Sequence, residues 1–264
     1  MKKILAVLLA GAMCTCLLAA CGNGASQQAG ASADGAASQA ISDGVLTVGT
    51  NAEFPPFEYI GDDGQPDGFD IALIKAIGEK MGVEVQVENM EFASLVTAIG
   101  SKIDVAIAGM TITEERQASV DFSEPYYEAV QYVILPADSA IATADDLVGK
   151  AIGVQLGTTG DFIANDIEGA TVSSYDKAML AVEDLVAGKL ECVIIDKNPA
   201  LVFESQYEGQ VTAIDGAQFG FESEEYAIAM PKGDSALVDQ INAALKDIKA
   251  DGTFDALVAE YIEQ

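Results

Sequence analysis

The sequence predicts an α/β protein built as two βαβ lobes that are joined by a two-stranded hinge and leave a cleft between them. Two observations carry the prediction. From Val45 onward, short runs with β periodicity alternate with amphipathic helical runs, and the connections are short enough to favour parallel strands with helices on the faces. Past "YVILPADSAI" (132–141) the alternation starts again, and a strand and two helices are left over at the C-terminus that the second unit does not need.

Taken in order, "VLTVGT" (45–50) reads as a strand, "FDIALIKAIGEKMG" (69–82) as an amphipathic helix closed by Gly82, and "VEVQVEN" (83–89) as an alternating strand. "FASLVTAIGSK" (92–102) reads as a helix and "IDVAIAGM" (103–110) as a buried strand. The second unit runs through "AIGV" (151–154), a helix from "TTGDFIAND", the strand "TVSSY" (171–175), the helix "DKAMLAVEDLVAGK" (176–189), the strand "ECVIID" (191–196) and a helix opening at Asn198-Pro199. The leftover "EYAIAMPKG" (225–233) and the helices 235–252 and 253–264 are expected to pack back onto the first unit. The chain then crosses between lobes near 132–137 and again near 225–231. Residues 45–134 with 228–264 form lobe 1, and 135–227 form lobe 2.

The first 44 residues lie outside that grammar. "MKKILAVLLAGAMCTCLLAAC" has a basic start, a long apolar run and the tetrapeptide Leu18-Ala19-Ala20-Cys21, the pattern of a bacterial lipoprotein signal over residues 1–20 with Cys21 as the lipidated residue. A transmembrane anchor, the alternative, needs about 20 apolar residues and expects no small-small-Cys terminus. Residues 21–44 are Gly, Ala, Ser and Gln with almost no large apolar side chain, the composition of a flexible tether. These features place the body outside the cytoplasm, held by lipid on the outer face of a membrane. Once Cys14 and Cys16 leave with the signal, Cys192 is the one thiol of the body, so no disulfide framework forms there.

Composition removes whole classes of function. The chain contains no His, which excludes imidazole acid–base work, Ser-His-Asp triads and His-ligated zinc. A net charge of −29 argues against a nucleic-acid partner, because phosphate backbones need a basic face. No cofactor is implied: "GVQLGTTG" lacks phosphate-loop spacing, and "GDDGQPDG" lacks the calcium-loop spacing and its closing Glu, reading instead as a solvated hairpin.

Against that acidic background stands a single arginine, Arg116. Its planar fork grips a carboxylate bidentately, which lysine cannot do, although a surface ion pair on a helix turn is the plain alternative. In an open α/β sheet, ligands bind beyond the carboxyl ends of the strands. That rule collects Arg116 with Gly109, Met110 and Thr111 on one lobe, and Gln155, Thr158, Thr159 and Asp196 on the other. Thr158 and Thr159 sit where a helix begins and an anion is favoured. Asp196 ends a Val/Ile strand and is placed to hold an ammonium, or to cap the following helix. Arg116, Thr111 and Thr159 facing Asp196 make a receiver for an amino-acid headgroup. Asn51, Glu53, Phe54 and Phe92 would take the side chain, with Phe54 and Phe92 as clamping rings or as core.

"GTNAEFPPFEY", "GFDIALIKAIGEKMG", "DVAIAGMTITEERQASVDFSEPYY" and "IGVQLGTTG" together resemble the bacterial extracellular solute-binding proteins of family 3, over about residues 45–264. The resemblance implies a periplasmic-binding-protein-like fold, closing on one free amino acid, in a monomer that serves the membrane permease subunits of an ABC importer. It implies that Arg116 and Asp196 hold the ligand carboxylate and α-amino group, assisted by Thr111, Thr159 and the Gly109 backbone. Asn51, Glu53, Phe54, Phe92, Met110 and Gln155 would line the side-chain pocket.

Asn51 and Gln155 stand where several family members carry an acid and a lysine. With no second cation in the expected pocket, glutamate and aspartate are disfavoured, and Glu53 selects a polar, basic L-amino acid. A neutral ligand such as glutamine is the alternative if Glu53 faces solvent. Two rivals are a signalling sensor, which would need a membrane-spanning or cytoplasmic segment, and a dehydratase on the same fold, which would need an acid such as Glu53 as proton donor.

Overall fold

The computed structural model describes residues 41–263, so the expected signal and tether, Cys21 included, fall almost wholly outside the described residues. The first sheet has the order β5-β1-β6-β14-β7, formed by β1 (Val45–Thr50), β5 (Glu84–Asn89), β6 (Val105–Ala106), β7 (Val120–Phe122) and β14 (Ala229–Pro231). β1 pairs in parallel with β5 and β6, whereas β14 runs antiparallel between β6 and β7. A small antiparallel sheet of β2 (Glu53–Phe54), β3 (Glu58–Ile60) and β4 (Pro66–Asp67) lies off the end of β1, its β3–β4 turn being the acidic hairpin expected above.

Helix α1 (Phe69–Met81) buries Ile71, Leu73, Ile74 and Ile77, a helical spacing that turns one face inward, and it ends at Gly82. Against it pack the C-terminal helices α7 (Ser235–Ala250), through buried Leu237, Ile241, Leu245 and Ile248, and α8 (Thr253–Tyr261). Each such side chain stabilises the fold by about 1.5–3 kcal/mol relative to exposure. On edge strand β5, Glu84, Gln86 and Glu88 alternate with half-buried Val85 and Val87, and the charges protect an open sheet edge.

Two expected elements are shorter than their sequence runs. The helix over 92–102 reduces to a 3-10 turn, Phe92–Ser94, and one helical turn, α2 (Leu95–Ala98), because Ile99 turns extended to bridge Ile103. The buried strand over 103–110 keeps only β6, although Val105 to Ala108 are all enclosed.

The second sheet has the order β10-β9-β11-β8-β12, formed by β8 (Tyr127–Pro136), β9 (Ala151–Gln155), β10 (Thr171–Tyr175), β11 (Cys192–Asp196) and β12 (Val211–Asp215). Strands β9, β10 and β11 are parallel, and β8 is antiparallel to β11 and β12. Its helices are α4 (Thr159–Asp166), α5 (Ala178–Val186) and α6 (Lys197–Gln206), the last with Pro199 in its first turn, where a missing N–H costs nothing. One-turn α3 (Glu114–Gln117) carries Arg116. Cys192, enclosed on β11, has its thiol pushed up to about 12 by burial.

A ribbon links the lobes. β13 (Ser223–Tyr226) pairs antiparallel with the first part of β8, from Tyr226 on Tyr127 to Ser223 on Val130. Tyr132 to Pro136, where the first crossing was expected, pair within the second sheet, while Glu225 and Tyr226 of the second expected crossing belong to the ribbon. At the ribbon Tyr127 and Tyr226 stack at 5.7 Å, and Phe57 meets both edge-to-face at 4.9 and 5.3 Å.

Where β8 passes from ribbon to second sheet, Gly216 lies directly on it. A Cβ there would fall well inside contact distance of the Gln131 carbonyl oxygen, so only glycine fits. Gly216→Ala should therefore cost about 1–3 kcal/mol, the usual range for overpacking. At about 2–4 °C per kcal/mol for a chain of this size, thermal unfolding should show Tm lower by roughly 2–12 °C.

Candidate ligand-binding site

The carboxyl ends of both sheets' parallel strands face one cavity that is closed down to about 10 Å³, room for about one water molecule. It is lined by Asn51, Phe54, Glu58, Phe92, Ala108, Gly109, Thr111, Arg116, Gln155, Thr158, Thr159 and Asp196. Of the residues expected from sequence, two are absent from this wall. Met110 is wholly buried in a core cluster with Leu95, Ile103 and Val120. Glu53 pairs with Lys177 across the lobes, both side chains being partly exposed.

Arg116 is 6 % exposed. Thr113 caps its helix turn by accepting the Arg116 amide at 3.1 Å. Nη1 donates to the Thr111 carbonyl at 2.6 Å and Nη2 to the Gly157 carbonyl at 3.0 Å, so one guanidinium is tied to both lobes. Asp161 supports that second contact by accepting the Gly157 amide at 2.9 Å. The rings of Phe92 and Phe162 lie 5.3 and 6.0 Å from the guanidinium carbon, a cation–π arrangement on both sides. Burial pulls the Arg116 pKa down, and the charges of Glu224 and Asp196 oppose the shift. Two of the five N–H donors are used, and the remaining ones are free to meet an anion in the cavity.

Asp196 ends β11 and begins α6, yet its side chain makes no capping bond. Instead it accepts from the Tyr226 hydroxyl. Burial, then the Glu224 charge, push its carboxyl up to about 7, against the lowering effect of the Tyr226 bond. Gly109 lies on the wall at φ 52, where a Cβ would meet Phe54 at 2.8 Å and Tyr226 at 3.3 Å. Its amide is not offered to the cavity, because it donates to Asp70 Oδ2 at 2.8 Å, as does the Tyr126 hydroxyl at 2.9 Å. Asp70, at the start of α1, is raised to about 7 chiefly by burial.

Thr158 is internally satisfied: it caps α4, donating to the Gln155 carbonyl and accepting from the Asp161 amide. Thr111 and Thr159 donate to one oxygen of Glu224 at 2.6 and 2.8 Å. Gln155 donates to Asn51 Oδ1 at 2.9 Å, a second hydrogen bond across the lobes, and Asn51 donates to the Met90 carbonyl. Phe54 stacks on Phe57 at 5.7 Å with its ring on the wall.

Glu58, outside the set expected from sequence, is the acid that the cavity does contain. It is fully buried, and its carboxyl group shares a hydrogen bond with that of Asp70, which requires a proton on one of the two acids. Burial, then the Asp70 charge and the hydrogen bond to it, and last the Asp196 charge, raise the Glu58 pKa well above the carboxylate range. The sequence signal for it was its place in "NAEFPPFEY", four residues from the aromatic that lines the same wall. No metal-binding group of acids or thiols and no helix long and apolar enough to cross a membrane occur among the described residues.

Comparison with known proteins agrees with this architecture. A probable histidine-binding protein of Neisseria gonorrhoeae is 32 % identical over 99 % of this chain and 96 % of its own length. The L-cystine-binding protein TcyJ of Escherichia coli (strain K12) is 32 % identical over 81 % of each chain. A solved structure of an ancestral arginine-binding protein bound to arginine superposes with a TM-score of 0.77 and 41 % identity, covering 83 % of this chain and 98 % of that one. The family model that describes bacterial extracellular solute-binding proteins, family 3, matches residues 46–264. On the sequence match and the two-lobed fold together, the chain belongs to the bacterial extracellular solute-binding proteins, family 3.

Proposed function

We propose that the protein is the extracytoplasmic receptor of an amino-acid ABC importer, a monomer that delivers a basic L-amino acid to membrane permease subunits. The observation that carries the reading is one cavity wall that holds Arg116, Asp196 and a third buried ionisable group, the Glu58 acid paired with Asp70. Arg116 meets the ligand carboxylate with its free donors, together with the first amides of α4. Asp196 takes the α-ammonium. Glu58 then releases its proton to solvent as it meets a cationic side chain between the Phe54 and Phe92 faces, so that every charge entering the cavity finds its opposite. Relatives named for histidine and arginine support a basic ligand.

Glutamine is the second reading, favoured by the raised pKa of Glu58: a protonated Glu58 donates to an amide oxygen. Titration calorimetry against arginine, lysine, histidine, cystine and glutamine separates the two. Glu58→Gln should weaken basic ligands while sparing glutamine; an unchanged arginine affinity in that variant removes Glu58 from the site. Arg116→Ala should cost about 2–5 kcal/mol, the range for truncating one member of a buried charge pair, or roughly 30- to several-thousand-fold in Kd. Arg116→Lys keeps the charge but loses the fork and should fall in the same direction; normal binding by both variants overturns the site. Return of every ligand unchanged after prolonged incubation distinguishes a receptor from a dehydratase.

The pH dependence has two opposite signs. Asp196 and Asp70 rise from 3.8 to about 7 on folding, so between those values the ligand-free fold retains protons that the unfolded chain has lost. Stability without ligand therefore falls as pH rises through that window. Ligand ammonium favours ionised Asp196, so binding displaces its proton below pH 7 and affinity falls as pH falls. Kd should weaken by up to about tenfold per pH unit between 7 and 5; a flat calorimetric profile contradicts the Asp196 assignment.

Anchoring through Cys21 is the corresponding reading of the N-terminus. In cell fractionation the protein should partition with membranes, and Cys21→Ala should release it or leave the precursor uncleaved; normal processing with full membrane retention in that variant counts against a lipid anchor.

A further inference from the structure

Glu224 lies on β13 of the hinge ribbon and does not line the cavity. It borders a separate acidic groove that shares Thr111 and Thr159 with the cavity. One of its oxygens, Oε2, receives the Thr111 hydroxyl from lobe 1 at 2.6 Å, the Thr159 hydroxyl from lobe 2 at 2.8 Å, and Gln131 Nε2 at 3.4 Å. A hydroxyl has one proton and two lone pairs, and a carboxylate only accepts. Both threonine protons are therefore directed away from the cavity. Thr111 keeps both lone pairs, and Thr159 keeps one after accepting Gln131 Nε2 at 3.1 Å. With Thr158 internally satisfied and the Gly109 amide spent on Asp70, the Thr111 and Thr159 hydroxyls on the cavity wall have acceptor capacity left and no donor.

We infer that Glu224 is a positioning residue that sets the hydroxyl polarity of Thr111 and Thr159, turning the head-group wall into a receiver for an ammonium instead of a second receiver for a carboxylate. An ammonium brings three N–H donors, which Asp196 alone satisfies incompletely, and Thr111 Oγ1 and Thr159 Oγ1 supply the rest. This reverses the role expected from sequence, in which both threonines assist the carboxylate. It also ties recognition to closure, because the two hydroxyls come from opposite lobes and meet the same oxygen only when the lobes are together. The inference rests on the amino-acid reading above.

The test compares two probes, L-arginine and its analogue with hydrogen in place of the α-amino group, by calorimetry on the purified full chain. Wild type should prefer L-arginine strongly. Glu224→Ala frees the hydroxyls to rotate, so that preference should shrink by about tenfold or more, the worth of a hydrogen bond to a charged group. A purely structural role would weaken both probes equally and leave the ratio unchanged. Glu224→Gln keeps the shape and one acceptor and should give an intermediate ratio, which covers failure of the alanine variant to fold. A ratio unchanged in both variants, with wild type binding L-arginine, overturns the role of Glu224 and leaves the function intact. Absence of L-arginine binding by wild type overturns the basic-ligand reading alone; the comparison is then made with L-glutamine and its analogue lacking the α-amino group, where a ratio unchanged in both variants overturns the role of Glu224.

Discussion

The structure depends on keeping a guanidinium charged without water. A buried ion is costly unless dipoles replace its hydration, and Arg116 obtains them from two backbone carbonyls, one on each lobe. The faces of Phe92 and Phe162 complete the enclosure, and the charges of Glu224 and Asp196 balance the cation at longer range. Lysine has no rigid fork with which to hold carbonyls in two directions and leave donors over, and the chain uses arginine nowhere else.

From that cation the rest of the polar architecture follows outward to the hinge. Tyr226 and Glu224 are two residues apart on β13 and face the same end of the cavity: one donates to Asp196, and the other accepts from the two threonines. The ribbon is therefore chemically part of the Asp196 end of the cavity. Phe57, packed against Tyr127 and Tyr226 on one side and Phe54 on the other, carries the same connection through aromatic contacts to the Phe54 side of the wall.

The sequence made the lobes legible because each strand and helix announces itself locally, by alternation or by helical spacing. It was least legible where partners are distant. Glu53 and Glu58 sit in one short motif, and nothing local separates them. Lys177, 124 residues away from Glu53, makes the difference, leaving the other acid to face the cavity. Met110 is an instructive miss, since its neighbours Gly109 and Thr111 both reach the wall while its own side chain is buried in the core with Leu95, Ile103 and Val120. Glu224 offered no local signal beyond lying near a predicted crossing, and β12, "VTAID", went unread between a helix and the hinge. Arg116 and Asp196 were readable for another reason: one is unique in composition, and the other is an acid closing a Val/Ile strand.

Cys192 is enclosed on β11, and burial keeps its thiol in the unreactive neutral form. A chain beginning at Val45 contains no other sulfhydryl. A cysteine introduced on the solvent side of the Glu53–Lys177 contact would thus be the single accessible thiol open to a maleimide dye, beside a contact that bridges the lobes. The same burial that makes the native thiol inert makes this body a ready frame for an optical reporter of its own ligand.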